Sequence, residues 1–207
     1  MATYGEVQDR INNDYLNRSD LTAETVRAIN GAIRKYQRHR FFFNESSTAL
    51  ATVAAQSHIA APAAFFTFDT ARIFYQSSAS YELTKVDHKD LLELRAGALA
   101  TGVPTHFSLY GERLELFPIP TSAYTVNVYG IHQIAPMTSQ SQTATTNDWF
   151  SAAEDLIVYG ATKLMWANVL RNAEEAIKFS ILEREALAEL DSATEQRMMH
   201  GIRVTRF

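Results

Sequence analysis

The hydrophobic period changes twice along this chain, and that limits its fold more than any other feature. Near the N-terminus apolar residues recur every three or four positions; in the middle they alternate; towards the C-terminus the helical spacing returns. Such a pattern predicts an α+β protein with helices drawn from both ends and strands between them.

The opening reads as a helical hairpin. Thr3, with Glu6 three positions on, fits a capping box, and Val7, Ile11 and Asp14/Tyr15 follow at helical spacing. Residues 17–20 are turn chemistry. A second helix starts at Thr22, with Leu21 and Val26 placed as a staple and an apolar stripe of Val26, Ile29, Ile33 and Tyr36. From Phe41 short runs rich in aromatic and β-branched residues take over. Residues 71–76 and 80–86 read as paired strands about Ser77 and Ser78. Asp87 and Asp90 open a short helix that carries Leu91, Leu92 and Leu94 and closes at Gly97. Residues 105–110 and 113–117 form a hairpin across Gly111 and Glu112, with Leu114 and Leu116 on one face, and residues 124–132 alternate with Tyr124, Val126 and Val128 on one side.

Residues 136–147, dominated by Ser, Thr and Gln, read as a long loop. Asn147 or Asp148 then caps a helix over 149–170, interrupted at Arg171 and Asn172. A last helix, 173–198, is expected to turn Ile177, Ile181, Leu187 and Leu190 inward and its charges outward. The expected architecture is therefore a helical bundle of residues 1–40 and 148–198, with a small antiparallel β-domain and one short helix inserted over 41–135. Residues 136–147 are the loop and 199–207 an extended tail.

Composition narrows the chemistry. The 207 residues include no cysteine, which removes disulfides, thiolate zinc sites and cysteine nucleophiles. The formal net charge of -4 offers no global attraction to nucleic acid. The longest apolar run, 59–66, contains Pro62 and falls far short of the roughly 20 residues a membrane helix needs. With no basic, apolar leader in the opening residues, the expectation is a soluble protein made in a cytoplasm, without a membrane partner.

No motif marks an enzyme. His39, His58, His88, His106, His132 and His200 are scattered, with no helical pair for a metal, and the glycines form neither a serine elbow nor a phosphate loop. No catalytic residue, cofactor or metal is expected. Glu112 with Glu115, and Glu174 with Glu175, are the carboxylate pairs a glycosidase would need. The first pair reads as a solvated strand face and the second as charge favoured at a helix N-terminus. Two features carry interaction chemistry instead. The second helix bears Arg27, Arg34, Lys35, Arg38 and Arg40 against one acid, Glu24; Arg27, Arg34, Lys35 and Arg38 are candidate contacts to a neighbouring subunit or to DNA phosphates. The tail, Gly201, Ile202, Arg203, Val204, Thr205, Arg206 and Phe207, alternates apolar and basic residues and reads as a docking strip.

The order of these segments resembles the adaptor, or head-completion, proteins of tailed bacteriophages, the family that closes the portal in short-tailed phages. The resemblance is carried by TYGEVQDRINNDYLNRSDL, RFFFNES, SYELTKVDHKDLLEL, GVPTHFSLYGERLELFPIP, YTVNVYG and NDWFSAAEDLIVYGATKLM, in that order across nearly the whole chain. It implies a non-enzymatic virion protein of the neck, assembled in the host cytoplasm as a homo-oligomeric ring, a dodecamer. Its partners would be the portal protein, reached by residues 198–207, the tail nozzle or tail hub, and genomic DNA passing without sequence specificity. The competing expectations are a virion enzyme that cleaves cell-wall glycans and a DNA-binding packaging accessory. Some relatives are assigned wall-degrading activity, but no matching catalytic pair can be placed on this sequence.

Overall fold

The computed structural model describes residues 2–76, 79–97, 100–134 and 146–200, with residues 199 and 200 described by backbone alone. In chain order the elements are α1 (Tyr4–Asp9), a π-helical stretch (Arg10–Leu16), α2 (Thr22–Tyr36), β1 (Glu45–Ala51), β2 (His58–Ala60), β3 (Phe65–Phe74), β4 (Ser80–Lys85) and α3 (His88–Gly97). There follow β5 (Thr101–Gly102), β6 (His106–Tyr110), β7 (Arg113–Phe117), β8 (Ile119–Pro120), β9 (Thr125–His132), α4 (Asp148–Ala152), α5 (Glu154–Leu164), a second π-helical stretch (Met165–Val169) and α6 (Ala173–His200). They fall into two compact units, Met1–Asn44 with Ile134–Phe207, and Glu45–Gln133.

In the first unit local chemistry sets the helix ends. The Thr3 hydroxyl accepts from the Glu6 amide at 3.2 Å while the Thr3 amide donates to Glu6 Oε2 at 2.7 Å, the reciprocal box expected from the sequence. The helical path then widens into its π-helical stretch and stops at Asn17, whose φ of 50° lies in the left-handed region. Asn147 Oδ1 accepts from the Phe150 amide at 3.1 Å and caps α4. The single helix expected over 149–170 is in fact divided, because Ala153 leaves helical geometry (φ −132°) between α4 and α5. Arg171 (φ 54°) ends the second π-helical stretch, and Asn172 Oδ1 caps α6 by accepting from the Glu174 and Glu175 amides at 3.1 and 3.2 Å.

The core of this unit is aromatic. Trp149, Tyr4, Phe41 and Phe150 are almost wholly buried beside Ile11, Ile29 and Ile33. Phe41 and Phe43 stack at 5.2 Å, and Trp149 meets both edge-on at 5.8 and 5.1 Å, the geometry that ring quadrupoles favour. Each such burial stabilises the fold by roughly 1.5–3 kcal/mol. On α6 half of the expected inner face holds: Leu187 and Leu190 pack partly buried against this core, but the two isoleucines do not. Ile177 and Ile181 are 62% and 52% exposed, and the buried positions are Phe179, Glu183, Ala186 and Thr194. The inward stripe of α6 therefore runs through Phe179, Glu183, Ala186, Leu187, Leu190 and Thr194, with one charged residue within it.

In the second unit β1, β9, β3, β4, β6, β7 and β2 lie in that order in one seven-stranded sheet, and β5 pairs with β8 in a small separate one. Ile73, Phe107, Leu114, Leu116, Val126 and Val128 are fully buried in its core. Neighbouring strands pair antiparallel except β4 with β6, which run parallel with Thr84 opposite His106. The connection through α3 makes that possible, since parallel neighbours require a crossover rather than a hairpin. The α+β class holds, but the architecture expected from the sequence does not. The β part is a seven-stranded mixed sheet rather than a small antiparallel insertion, and the molecule is not a helical bundle carrying one. The strands missing from the expectation are the sheet's two edges, β1 and β2, whose polar or short sequences carry little alternation.

Candidate functional site

The basic residues of α2 do not act as one patch. Lys35 turns towards α6, where its ammonium lies 2.9 Å from Glu183 Oε1. Arg34 is exposed and donates from Nε to the Asn30 carbonyl of its own helix at 3.3 Å. Arg27 and Arg38 are also on the exposed side. The structure thus separates Lys35, which joins helices within the chain, from Arg27, Arg34 and Arg38, which face outward.

Glu183 is the centre of the first unit's polar chemistry. Its side chain is only 5% exposed, and its second oxygen pairs with the Lys163 ammonium of α5. The Tyr36 hydroxyl of α2 completes the set. Burial pushes the carboxyl pKa up, but hydrogen bonds from Lys163, Lys35 and Tyr36 outweigh it and hold the pKa below the usual carboxylate value. The same burial, aided by the Glu183 charge, pushes the Tyr36 hydroxyl well above its ordinary pKa. One anion therefore ties α2, α5 and α6 together. Gly160 of α5 permits the approach: a Cβ there would sit 3.0 Å from Glu183 Oε1 and 3.3 Å from the Ala32 Cβ. A second junction involves Arg10, which bridges Glu154 and Asp155 at the start of α5 at 2.8 Å each. Neither junction was anticipated; a lone Glu among Phe179, Ala186 and Leu190 at helical spacing is the one signal the sequence offers for the first.

The carboxylates of the second unit have structural work. Glu115 is buried on β7 and pairs with Arg95 of α3 at 2.8 Å, where a solvated strand face was expected. Arg95 also donates to the Ser57 and Leu116 carbonyls at 3.1 and 3.0 Å, fixing α3 to the sheet. Glu112 lies on the exposed turn beside it. Both line a wide groove of about 810 Å³ with His58, His88 and Tyr110, the last two stacked at 4.0 Å. A buried ion pair and an exposed turn carboxylate do not make the apolar pocket that a glycosidase general acid needs. On α6, Glu174 and Glu175 both reach Lys178, at 3.8 and 2.5 Å. Among the described residues no three His, Asp or Glu side chains converge as metal ligands, and no helix is long and apolar enough to cross a membrane. The docking strip Gly201, Ile202, Arg203, Val204, Thr205, Arg206 and Phe207 lies outside the described residues.

Two helix-to-helix charge junctions, an ion pair that anchors α3, and side chains engaged in holding the fold describe a scaffold. No curated protein matches this sequence. A family model, that of the SU10 adaptor protein, matches residues 2–205 and so runs through both structural units without a break. With that match across nearly its whole length, the chain belongs to the SU10 adaptor protein family and is a structural adaptor protein of a bacteriophage.

Proposed function

We propose that this adaptor works in the neck of the particle, as a ring between the portal and the tail that closes the DNA-filled head and offers the platform on which the tail assembles. The observation that carries the proposal is the family match over residues 2–205, which takes in both units. A twelve-copy ring of the kind seen around a portal would suit it, formed in the host cytoplasm and retained in the virion. In this role Gly201–Phe207 docks on the portal protein, adding its alternating apolar and basic residues to the portal surface. The opposite side of the ring receives the tail nozzle or tail hub, and DNA passes through without sequence-specific contact, consistent with a formal net charge of -4.

Removal of residues 199–207 tests the docking step. Among the α6 residues whose burial is described Thr194 is the last buried one, and it lies before the cut, so the shortened chain is expected to fold and to keep its thermal midpoint. It is expected to lose attachment to portal-bearing heads in a co-sedimentation assay. Attachment equal to that of the full chain would end the docking role.

A further inference from the structure

The last turns of α6 have little core beneath them, yet they are tied down. Beyond Ala186, Thr194 is the one buried residue among those α6 residues whose burial is described. A helix end with so little to pack on tends to fray, because its last four carbonyls have no partner within the helix. Here the turn between α2 and β1 supplies contacts at three levels. His39 Nε2 lies 2.7 Å from Asp191 Oδ1, the Phe42 amide donates to the Thr194 hydroxyl at 3.4 Å, and the Arg197 guanidinium sits 3.6 Å from the centre of the Phe42 ring. Asp191, Thr194 and Arg197 recur every three residues, so the ties follow one side of the helix for about 9 Å. The turn that makes them is itself braced. Asn44 is buried; its Nδ2 donates to the His39 carbonyl at 2.7 Å and its Oδ1 accepts from the Phe41 amide at 2.9 Å. Phe41 and Phe43 meet Trp149 in the core, whereas Phe42 carries Arg197.

We infer that residues 39–44 are a clamp on the end of α6, and that Phe42, Asp191 and Arg197 are positioning residues that fix where the docking strip, residues 201–207, leaves the helix. This rests on the portal docking proposed above and adds how the chain prepares for it. Arg197 stands four residues before Gly201, about one helical turn, so the clamp reaches close to the root of the strip. A strip that leaves a fraying helix must order that helix end when it docks. One that leaves a held end has less to order, and the difference appears as affinity.

Two variants of the full chain test it by amide hydrogen exchange over residues 191–200. Phe42→Leu with Asp191→Ala removes the ring contact and the His39 tie; exchange there should quicken about tenfold. Arg197→Ala changes only an exposed side chain, so it keeps the test open if the first variant does not fold. It should quicken exchange about threefold. Alanine is the stronger helix former, so lost protection there reports the lost ring contact. Phe42→Tyr keeps the ring and should keep the protection. Exchange in α5 and in the strands should not change in any of them. In co-sedimentation with portal-bearing heads, the first variant should bind several-fold more weakly than the unmodified chain, and Phe42→Tyr should bind equally well. Unchanged exchange over 191–200 in either clamp variant would overturn the clamp, whatever the attachment. Faster exchange with unchanged attachment would overturn its positioning role and leave the docking strip in place. Normal attachment of the chain lacking residues 199–207 would overturn the docking reading, and the positioning role with it, while the exchange result still decides the clamp.

Discussion

Glu183 shows how one residue can join three elements. A buried carboxylate costs several kcal/mol in lost hydration, and only good partners on both oxygens offset that cost. Here Lys35, Lys163 and Tyr36 supply them from two other helices, so the anion specifies how α2 and α6 meet α5. Lys35 is half exposed and water screens its share, which places Glu183→Ala near the lower end of the range for a broken buried pair, about 3 kcal/mol of destabilisation in chemical denaturation. The pH dependence has a definite sign. The folded carboxyl has a lowered pKa, so its stabilisation is complete above the unfolded value of about 4.3 and is lost as pH falls through the folded value. Thermal midpoints of Glu183→Gln should therefore fall less steeply than those of the unmodified chain between about pH 5 and pH 3. Equal slopes would remove Glu183 from the acid response. The sequence held little warning of this residue, because its partners lie 20 and 148 positions away and a single Glu in a charge-rich helix looks like any surface acid.

At the scale of elements, legibility followed the strength of the local signal. The Thr3–Glu6 box, the Asn147 cap and the break at Arg171 and Asn172 are short-range chemistry and were readable. So were β4, β6, β7 and β9, and the latter half of β3, as short runs rich in aromatic and β-branched residues set between turns, with burial that alternates through Thr125, Val126, Asn127 and Val128 of β9. β1 was not: Glu45–Ala51 is an edge strand, mostly exposed, and its small and polar residues need no alternation. The α6 isoleucines were misassigned: the inward stripe of that helix runs through Phe179, Glu183 and Ala186 instead. Register adds a constraint that no propensity reveals. β3 shifts register against β9 between Phe65 and Thr67, which brings the Thr67 carbonyl over Gly130. A Cβ on Gly130 would lie 1.9 Å from that oxygen, a backbone atom that cannot swing aside. Gly130→Ala is thus expected to destabilise by about 3 kcal/mol, the upper end of overpacking costs, with lowered amide-exchange protection in β3 and β9. Exchange unchanged in those strands would mean the bulge relaxes at little cost.

At the scale of the whole molecule, the chain leaves the helical unit once and returns once, and the points of departure and return are neighbours. β1 and β9 pair antiparallel at one edge of the sheet, with Glu45 opposite Ile131, so residues 45 and 133 stand only a few residues' reach apart. Antiparallel partners are about 5 Å apart at Cα, a gap that a short flexible linker spans with little entropic cost. Each unit also has its own buried core, built on Trp149, Phe41 and Ile33 in one and on Phe107, Leu114 and Val128 in the other. These facts predict separability. Residues 45–133 expressed alone should fold to a strand-rich protein with a cooperative thermal transition. Residues 1–44 joined to 134–207 through a Gly-Ser linker of about four residues should fold to a helical one. Circular dichroism of the two pieces should sum to that of the full chain. A helical piece that melts without cooperativity would show that its aromatic core depends on the sheet, and the two units would then fold as one.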